Sequence, residues 1–207
     1  MLISFDKIFN SYGPFKGVIH IGAHLMQERE AYLSHSLDNT IWIEADPSIY
    51  SRIESINHES LKESAFNYLI TDIDDREYTF NIADNEGMSS SIFDFDKHLL
   101  YHPVRFGRSI TLKSKRMDSV INENQIDINS YDFLNIDVQG ADLLVLKSFG
   151  DLLNNIKYIY IELNKEHLYK DCPLIQDIDE YLEKFKFKRV LTEICKAQWG
   201  DGFYVKQ

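Results

Sequence analysis

A chain of 207 residues, 44% hydrophobic and 27% charged, is long enough for one globular domain, which at this size buries roughly 70% of the surface its unfolded form exposes. Its net charge of −11 argues against a nucleic-acid partner, because phosphate contacts need clustered Lys and Arg, and a group such as Lys113, Lys115 and Arg116 is small and reads as a solvated loop. Cys172 and Cys195 make neither a metal-binding spacing nor a disulfide framework; with no leader-like segment and no long apolar run, the chain is expected to be soluble and cytoplasmic.

Residues 2–10 carry apolar positions at helical spacing, which predicts a short helix packed on a sheet edge, within an N-terminal segment 1–16. Tyr12-Gly13-Pro14 ends it. Next, Val18–Ile21 reads as a strand closed by Gly22, a helical pattern runs from Leu25 to about Leu37 with Gln27 and Glu28 in its first turn, and Ile41–Ile43 ends in Glu44. Strand, glycine turn, helix, strand and acid is the order by which a right-handed βαβ unit sets a nucleoside over its strand ends. Gly22 would let the backbone approach a ligand closely, and Glu44 lies near the roughly 20-residue offset at which an acid accepts hydrogen bonds from ribose hydroxyls. A single glycine between strand and helix is also ordinary turn chemistry.

Further glycines would fall at His24 and Met26. A dinucleotide needs its pyrophosphate against glycine-rich backbone, whereas S-adenosylmethionine has no phosphate, so the pattern tilts away from NAD.

Asp46-Pro47 opens another helix, with Asp46 as its cap. Ala65–Ile70 reads as a third strand ending at Thr71-Asp72, polar residues placed to lie beside a nucleoside base. Arg76–Ala83 and Ser109–Lys113 alternate apolar and polar residues and are expected to pair as antiparallel strands. Between them, residues 84–108 form an irregular segment of the length expected for a lid or substrate loop. It holds Ser90, Ser91 and several aromatic residues, with His98 and His102 spaced to share one helix face. A third metal ligand is not evident nearby, so these histidines read as base or substrate contacts, or as surface residues, and no metal is expected.

Tyr131–Val138 is a nearly continuous apolar run, as in a central parallel strand buried on both faces. Asn135 and Asp137 interrupt it, and Gly140 precedes a helix. A charged Asp at a buried strand end is costly unless it is paired or faces the cleft, which makes Asp137 the leading site candidate, with helix capping as the alternative. Ile156–Leu163 is the next strand, ending in polar Glu162 and Asn164; residues 174–185 form an amphipathic helix. Phe187–Ile194 and Gly202–Val205 make the last two strands, joined by a turn that carries Trp199 and Asp201.

Six stretches in order, VIHIGAH…QE, WIEADP, SSSIF…H…HP, YDFLNIDVQGADLLVLK, IYIELN…LY…C and WGDGFYVK, resemble the FkbM-type methyltransferases over about residues 17–206. The resemblance implies an α/β Rossmann-like fold: a seven-stranded, mostly parallel sheet with the last strand antiparallel, plus an inserted hairpin and lid in a single domain. It implies S-adenosylmethionine as cofactor and O-methylation of a sugar, glycan or similar small hydroxylated acceptor. By this resemblance Gly22, Ala23, His24 and Gln27 would contact the methionine part of the cofactor. Glu44 and Ala45 would hold the ribose, and Thr71 and Asp72 would lie near the adenine. Asp137 would stand close to the sulfonium and the acceptor, with His98, His102 and Glu162 as further candidates for the base. Ser90, Ser91, Asn164, Trp199 and Asp201 would meet the acceptor. Three positions depart from the family pattern: Met26 where glycine is usual, Asn135 where lysine is common, and Gln139 where glutamate is usual. Met26 is expected to narrow the amino-acid end of the pocket. The competing readings are an NAD-linked oxidoreductase, a non-catalytic cofactor-binding subunit, and a nucleic-acid methyltransferase, for which the basic cleft is missing.

Overall fold

The structure, a computed structural model, describes residues 1–54 and 62–207. Its main sheet contains β1 (Val18–Ile21), β2 (Asn39–Glu44), β3 (Lys62–Asn67), β7 (Phe133–Ile136), β8 (Tyr158–Asn164), β9 (Phe187–Ile194) and β10 (Trp199–Lys206), in the order β3-β2-β1-β7-β8-β10-β9. Its strands run parallel except β10, which lies antiparallel between β8 and β9. The order reverses between β1 and β7, so their carboxyl ends diverge into a crevice. The expected architecture is borne out, although β10 begins at Trp199, so Trp199 and Asp201 stand on the strand rather than in a turn.

Because side chains alternate along a strand, the two faces of this sheet have different cores. One is aliphatic, built from Ile19, Ile21, Ile41, Ile43, Leu134, Ile136, Ile159 and Ile161. The other carries Val18, Trp42, Phe133, Tyr160 and Phe203. Helix α1 (Phe5–Tyr12) closes the aromatic face: Phe5 meets Tyr32 edge-on at 4.8 Å and Phe133 at 5.9 Å. It therefore covers the sheet's middle and not its edge, since its apolar stripe needs an apolar face to cover it.

Helix α2 covers only Arg29–Ser34, later than its apolar spacing suggests. His24 and Met26 take positive φ of 42° and 56°, so the chain after β1 turns twice before a helix can start. Gln27 and Glu28 consequently precede the helix instead of forming its first turn. Helix α3 (Pro47–Ile53) starts as expected, Asp46 accepting the Ser48 amide at 2.8 Å.

The third strand divides. After β3, residues Leu69–Ile70 (β4) leave the main sheet and join β5 (Glu77–Ala83) and β6 (Phe106–Lys115) in a small sheet ordered β4-β6-β5. β5 and β6 pair antiparallel, as their alternation predicts. The insertion between them contains the short helix α4 (His98–Tyr101). Helices α5 (Met117–Glu123), α6 (Asp142–Ser148) and α7 (Ile175–Glu183) pack against the aliphatic face through residues such as Val120, Val145 and Ile178. No helix among the described residues is long and apolar enough to cross a membrane.

Candidate active site

The carboxyl ends of β1, β2, β7 and β8, together with the insertion, enclose a cavity of about 590 Å³. At its β1–β2 end the chemistry belongs largely to the backbone. Gly22 has φ +89°, and a Cβ there would stand 1.8 Å from the Asp137 carbonyl oxygen. Glycine is thus required for β1 to pass β7, not only for approach to a ligand. His24 and Met26 adopt the left-handed conformation that glycine reaches without strain, so the fingerprint survives as backbone geometry.

That turn aims the His24 N–H at Glu44 Oε2, 2.7 Å away, while the Asp46 N–H donates to Glu44 Oε1, also at 2.7 Å. Glu44 is 8% exposed; burial raises its pKa and the two amides pull it back. A carboxylate accepts about four hydrogen bonds, so lone pairs remain for a ligand's hydroxyls. Gln27 Nε2 lies 2.7 Å from His24 Nδ1, and His24 Nε2 lies 2.9 Å from the Glu86 carbonyl, which ties this turn to the insertion.

Gly22, His24, Gln27, Glu44 and Ala45 line the cavity, but Ala23 does not. Ala23 and Met26 are buried in the aromatic-face cluster, so Met26 does not narrow the pocket. Thr71 and Asp72 also lie outside the lining, because β4 has turned into the small sheet. Thr71 Oγ1 donates to the Ile73 carbonyl at 3.2 Å, and the Asp72 carbonyl accepts from Arg116 at 2.7 Å. The wall there is apolar instead, formed by Tyr68, Leu69, Ile70, Phe80 and Ile49.

The opposite end is made of side chains from four separate segments. Gln139 Nε2 lies 2.7 Å from Asp137 Oδ1 and 3.0 Å from Glu162 Oε2, so one amide donates to both carboxylates. The Tyr169 hydroxyl donates to Gln139 Oε1 at 2.7 Å, and the Ser91 hydroxyl to the Gln139 carbonyl at 2.7 Å. These bonds hold Gln139 at φ +54°, a strained conformation for a residue with a Cβ. Asp137 is exposed, and that exposure is into the cavity. Enclosure by protein raises its pKa. Glu162 is pushed well above the usual carboxylate range, by burial and then by the charges of Asp137 and Asp142. Burial, then Asp137, pushes Asp142 up to about 7.

His98 is 5% exposed; burial, then His102, lowers its pKa to about 4. Its ring stacks on Phe95 at 4.7 Å and lies 4.9 Å from His102, and both histidines line the cavity. Ser90 and Trp199 line it as well. Ser91 and Asn164 do not: Ser91 supports Gln139, and Asn164 Nδ2 turns towards Glu162 Oε1 at 3.5 Å. Asp201 reaches the cavity, but its Oδ2 already accepts the Leu2 and Ile3 amides and the Tyr160 hydroxyl. Its carboxylate anchors the N-terminal segment, and burial raises its pKa to about 6.

Sequence reasoning gave no role to Gln139, Tyr169 or His20. Asn135 Nδ2 donates to the Tyr32 hydroxyl at 2.7 Å, and that hydroxyl lies 3.1 Å from His20 Nδ1. His20 lines the cavity with its pKa lowered by burial. The apolar pattern of β1 concealed it, because a histidine amid Val18, Ile19 and Ile21 reads as core.

Similar solved structures share this Rossmann-like architecture. The methyltransferase domain of bacterial CtHen1-C superposes with a TM-score of 0.52 at 11% identity, covering 96% of this chain and 93% of that one. Magnesium protoporphyrin IX methyltransferase (ChlM) from Synechocystis PCC 6803, solved with bound SAM, gives 0.51 at 9% identity, covering 97% and 74%. At such identities the likeness is one of fold.

The Methyltransferase FkbM domain profile matches residues 20–189, and the chain belongs to that family. It is also 28% identical over 115 residues to the 2-O-methyltransferase NoeI of Sinorhizobium fredii (strain NBRC 101917 / NGR234). That match covers 55% of this chain and 45% of the relative, less than half of the latter's length.

Proposed function

We propose that this chain transfers a methyl group from S-adenosylmethionine to a hydroxyl oxygen of a sugar, glycan or similar small polyhydroxylated compound. One arrangement carries the proposal: the Asp137–Gln139–Glu162 cluster faces the same cavity as Glu44. Family membership supports methyl transfer, and the relative's name supports an oxygen acceptor.

The residues present fit this cofactor. A cavity of about 590 Å³ lies within the roughly 300–1,000 Å³ range of small-molecule sites. Glu44 would hold the ribose hydroxyls, and Ile49, Tyr68, Leu69, Ile70 and Phe80 offer the apolar slot an adenine needs. Bound there, adenosylmethionine supplies an already activated methyl group, which leaves the protein to align the acceptor and remove its proton.

Asp137 is the proposed base. Its Oδ1 is engaged by Gln139, while Oδ2 has no partner among the described residues. Its pKa, raised by burial, makes it a stronger base than an ordinary carboxylate. His98, held neutral, and His102 position the acceptor from the insertion. Residues 84–105, the part of the segment that precedes β6, act as the lid: Ser89, Ser90, His98 and His102 come from it, and the His24–Glu86 bond fastens it.

Asp137→Asn keeps the shape and the Gln139 contact but removes the base. Turnover of labelled methyl onto a glycan panel should fall by about 10²–10⁴-fold, with adenosylmethionine affinity preserved by calorimetry. Wild-type turnover in this variant would remove Asp137 from the mechanism.

A further inference from the structure

The walls of the cavity are predominantly acidic, although Met1, whose amine is cationic, also lines it. Glu28, Glu44, Asp46, Asp137, Glu162 and Asp201 line it, and among the described residues no Lys or Arg side chain does. Glu44 and Asp46 are engaged by the backbone at the end of β2. Glu28 lies 3.9 Å from the Met1 amine. The other three acids gather at the acceptor end, where Glu162 and Asp201 face each other across β8 and β10 and Gln139 joins Glu162 to Asp137.

Among the described residues, the side-chain groups that hydrogen-bond to these three acids are neutral donors: the Gln139 and Asn164 amides and the Tyr160 hydroxyl. His20 and His98 are driven towards their neutral forms by burial, so neither supplies a compensating cation. The cofactor itself brings a single net positive charge, too little to reverse the sign of the walls. Tyr169 and Trp199 add aromatic surface beside the acids. Acids that accept hydrogen bonds, next to aromatic faces, suit the hydroxyls and C–H face of a ring. A carboxylate or phosphate on that ring would lie among mostly like charges, with the Met1 amine already held near Glu28.

From this we infer that the acceptor is a neutral or amine-bearing polyol, and that a ring carrying a carboxylate or phosphate is rejected. The inference narrows the acceptor of the methyltransferase reading and rests on it.

The full chain is incubated with methyl-labelled adenosylmethionine and an extract of cells in which its gene is deleted, so that unmethylated acceptor is present. Labelled material is hydrolysed to monomers, whose methyl ethers survive acid, and passed over an anion exchanger. Label in the unretained fraction should exceed retained label by roughly a hundredfold. Methylated monomers held on the exchanger overturn the inference while leaving methyl transfer standing. Absence of label in every fraction, with adenosylmethionine binding shown by calorimetry, overturns the transferase reading and this inference with it.

Discussion

The two ends of the cavity are built on different principles. At the β1–β2 end, backbone amides of His24 and Asp46 converge on one carboxylate, and the contacts fall within 22 residues of chain. At the β7–β8 end, Gln139 is held by Asp137, Glu162, Tyr169 and Ser91, partners up to 48 positions away. The first end depends on backbone shape and tolerates His24 and Met26 in left-handed turns. The second depends on side-chain identity, since exchanging one amide for a carboxylate changes the charge of the cluster. The conserved demand of a common cofactor suits the first kind of construction. Discrimination among acceptors suits the second.

The largest effect expected from this contrast is at Glu44. Glu44→Ala removes the acceptor of two amides and the group assigned to the ribose. Loss of a charged hydrogen bond costs about 1.5–3 kcal/mol, and the turn it organises loosens as well. Adenosylmethionine affinity should fall roughly a hundredfold by calorimetry, whereas Asp137→Asn should leave it nearly intact. Equal losses in the two variants would erase the distinction between the ends.

A second difference concerns stability and pH. Asp142 opens α6, its Oδ2 accepting the Gly140 amide at 3.2 Å and its Oδ1 left without a partner. Its pKa is about 7 and that of Asp201 about 6, both above the ~3.9 of an unfolded Asp. Between those limits the native state holds protons that the unfolded chain releases, so stability falls as pH rises from about 4 to about 7. The wild-type melting temperature should therefore drop by several degrees from pH 5 to pH 8. Asp142→Asn, which still accepts the Gly140 amide, should make the slope shallower, the remainder coming from Glu162, Asp137 and Asp201. A flat wild-type profile would show that the acceptor end stores no such charge.

The same contrast explains what could be read from the sequence. Gly22, Glu44 and the Asp46 cap were legible because each acts within a few residues of the backbone it serves. The seven-stranded, mostly parallel sheet with its last strand antiparallel followed from a family resemblance that the profile match bears out, whereas the strand order came only with the structure. Helix α2 was drawn too long because Leu25 and Met26 have helical spacing, while positive φ at His24 and Met26 is a backbone property that no periodicity reveals. Thr71 and Asp72 were misplaced because the chain changes sheets at Leu69. Ser91 and Asp201 were assigned to the acceptor, yet Ser91 braces Gln139 and Asp201 anchors the N-terminal segment, contacts set by partners 48 and 198 or more positions away. Gln139 was read only as a departure from the family's glutamate, although its amide is what joins the two acids.

Gln139→Glu tests that joining role. It removes the shared donor and places a third carboxylate between Asp137 and Glu162, which raises the pKa of each acid. The base is then ionised only at higher pH, so the acidic limb of the pH–rate profile should move up by about one unit. An unmoved limb would mean that neither acid titrates during turnover.

The smallest effect is expected at Tyr169, whose hydroxyl donates to Gln139 Oε1 at 2.7 Å but touches neither carboxylate. Tyr169→Phe preserves the ring contacts with Phe95 and His98, at 5.5 and 5.3 Å, and removes the hydroxyl's bond to Gln139 together with its longer contact, 3.4 Å, with the Ser89 carbonyl. A bond of this kind contributes about 1 kcal/mol. Gln139 stays in place through Ser91 and the two acids, but its amide plane is less firmly set. The turnover number should fall several-fold with cofactor affinity unchanged, because the displacement occurs at the end that orients the acceptor. If instead Tyr169→Phe weakened adenosylmethionine binding and spared turnover, the hydroxyl would belong to the cofactor's end of the cavity, and the boundary between the two constructions would have to be moved.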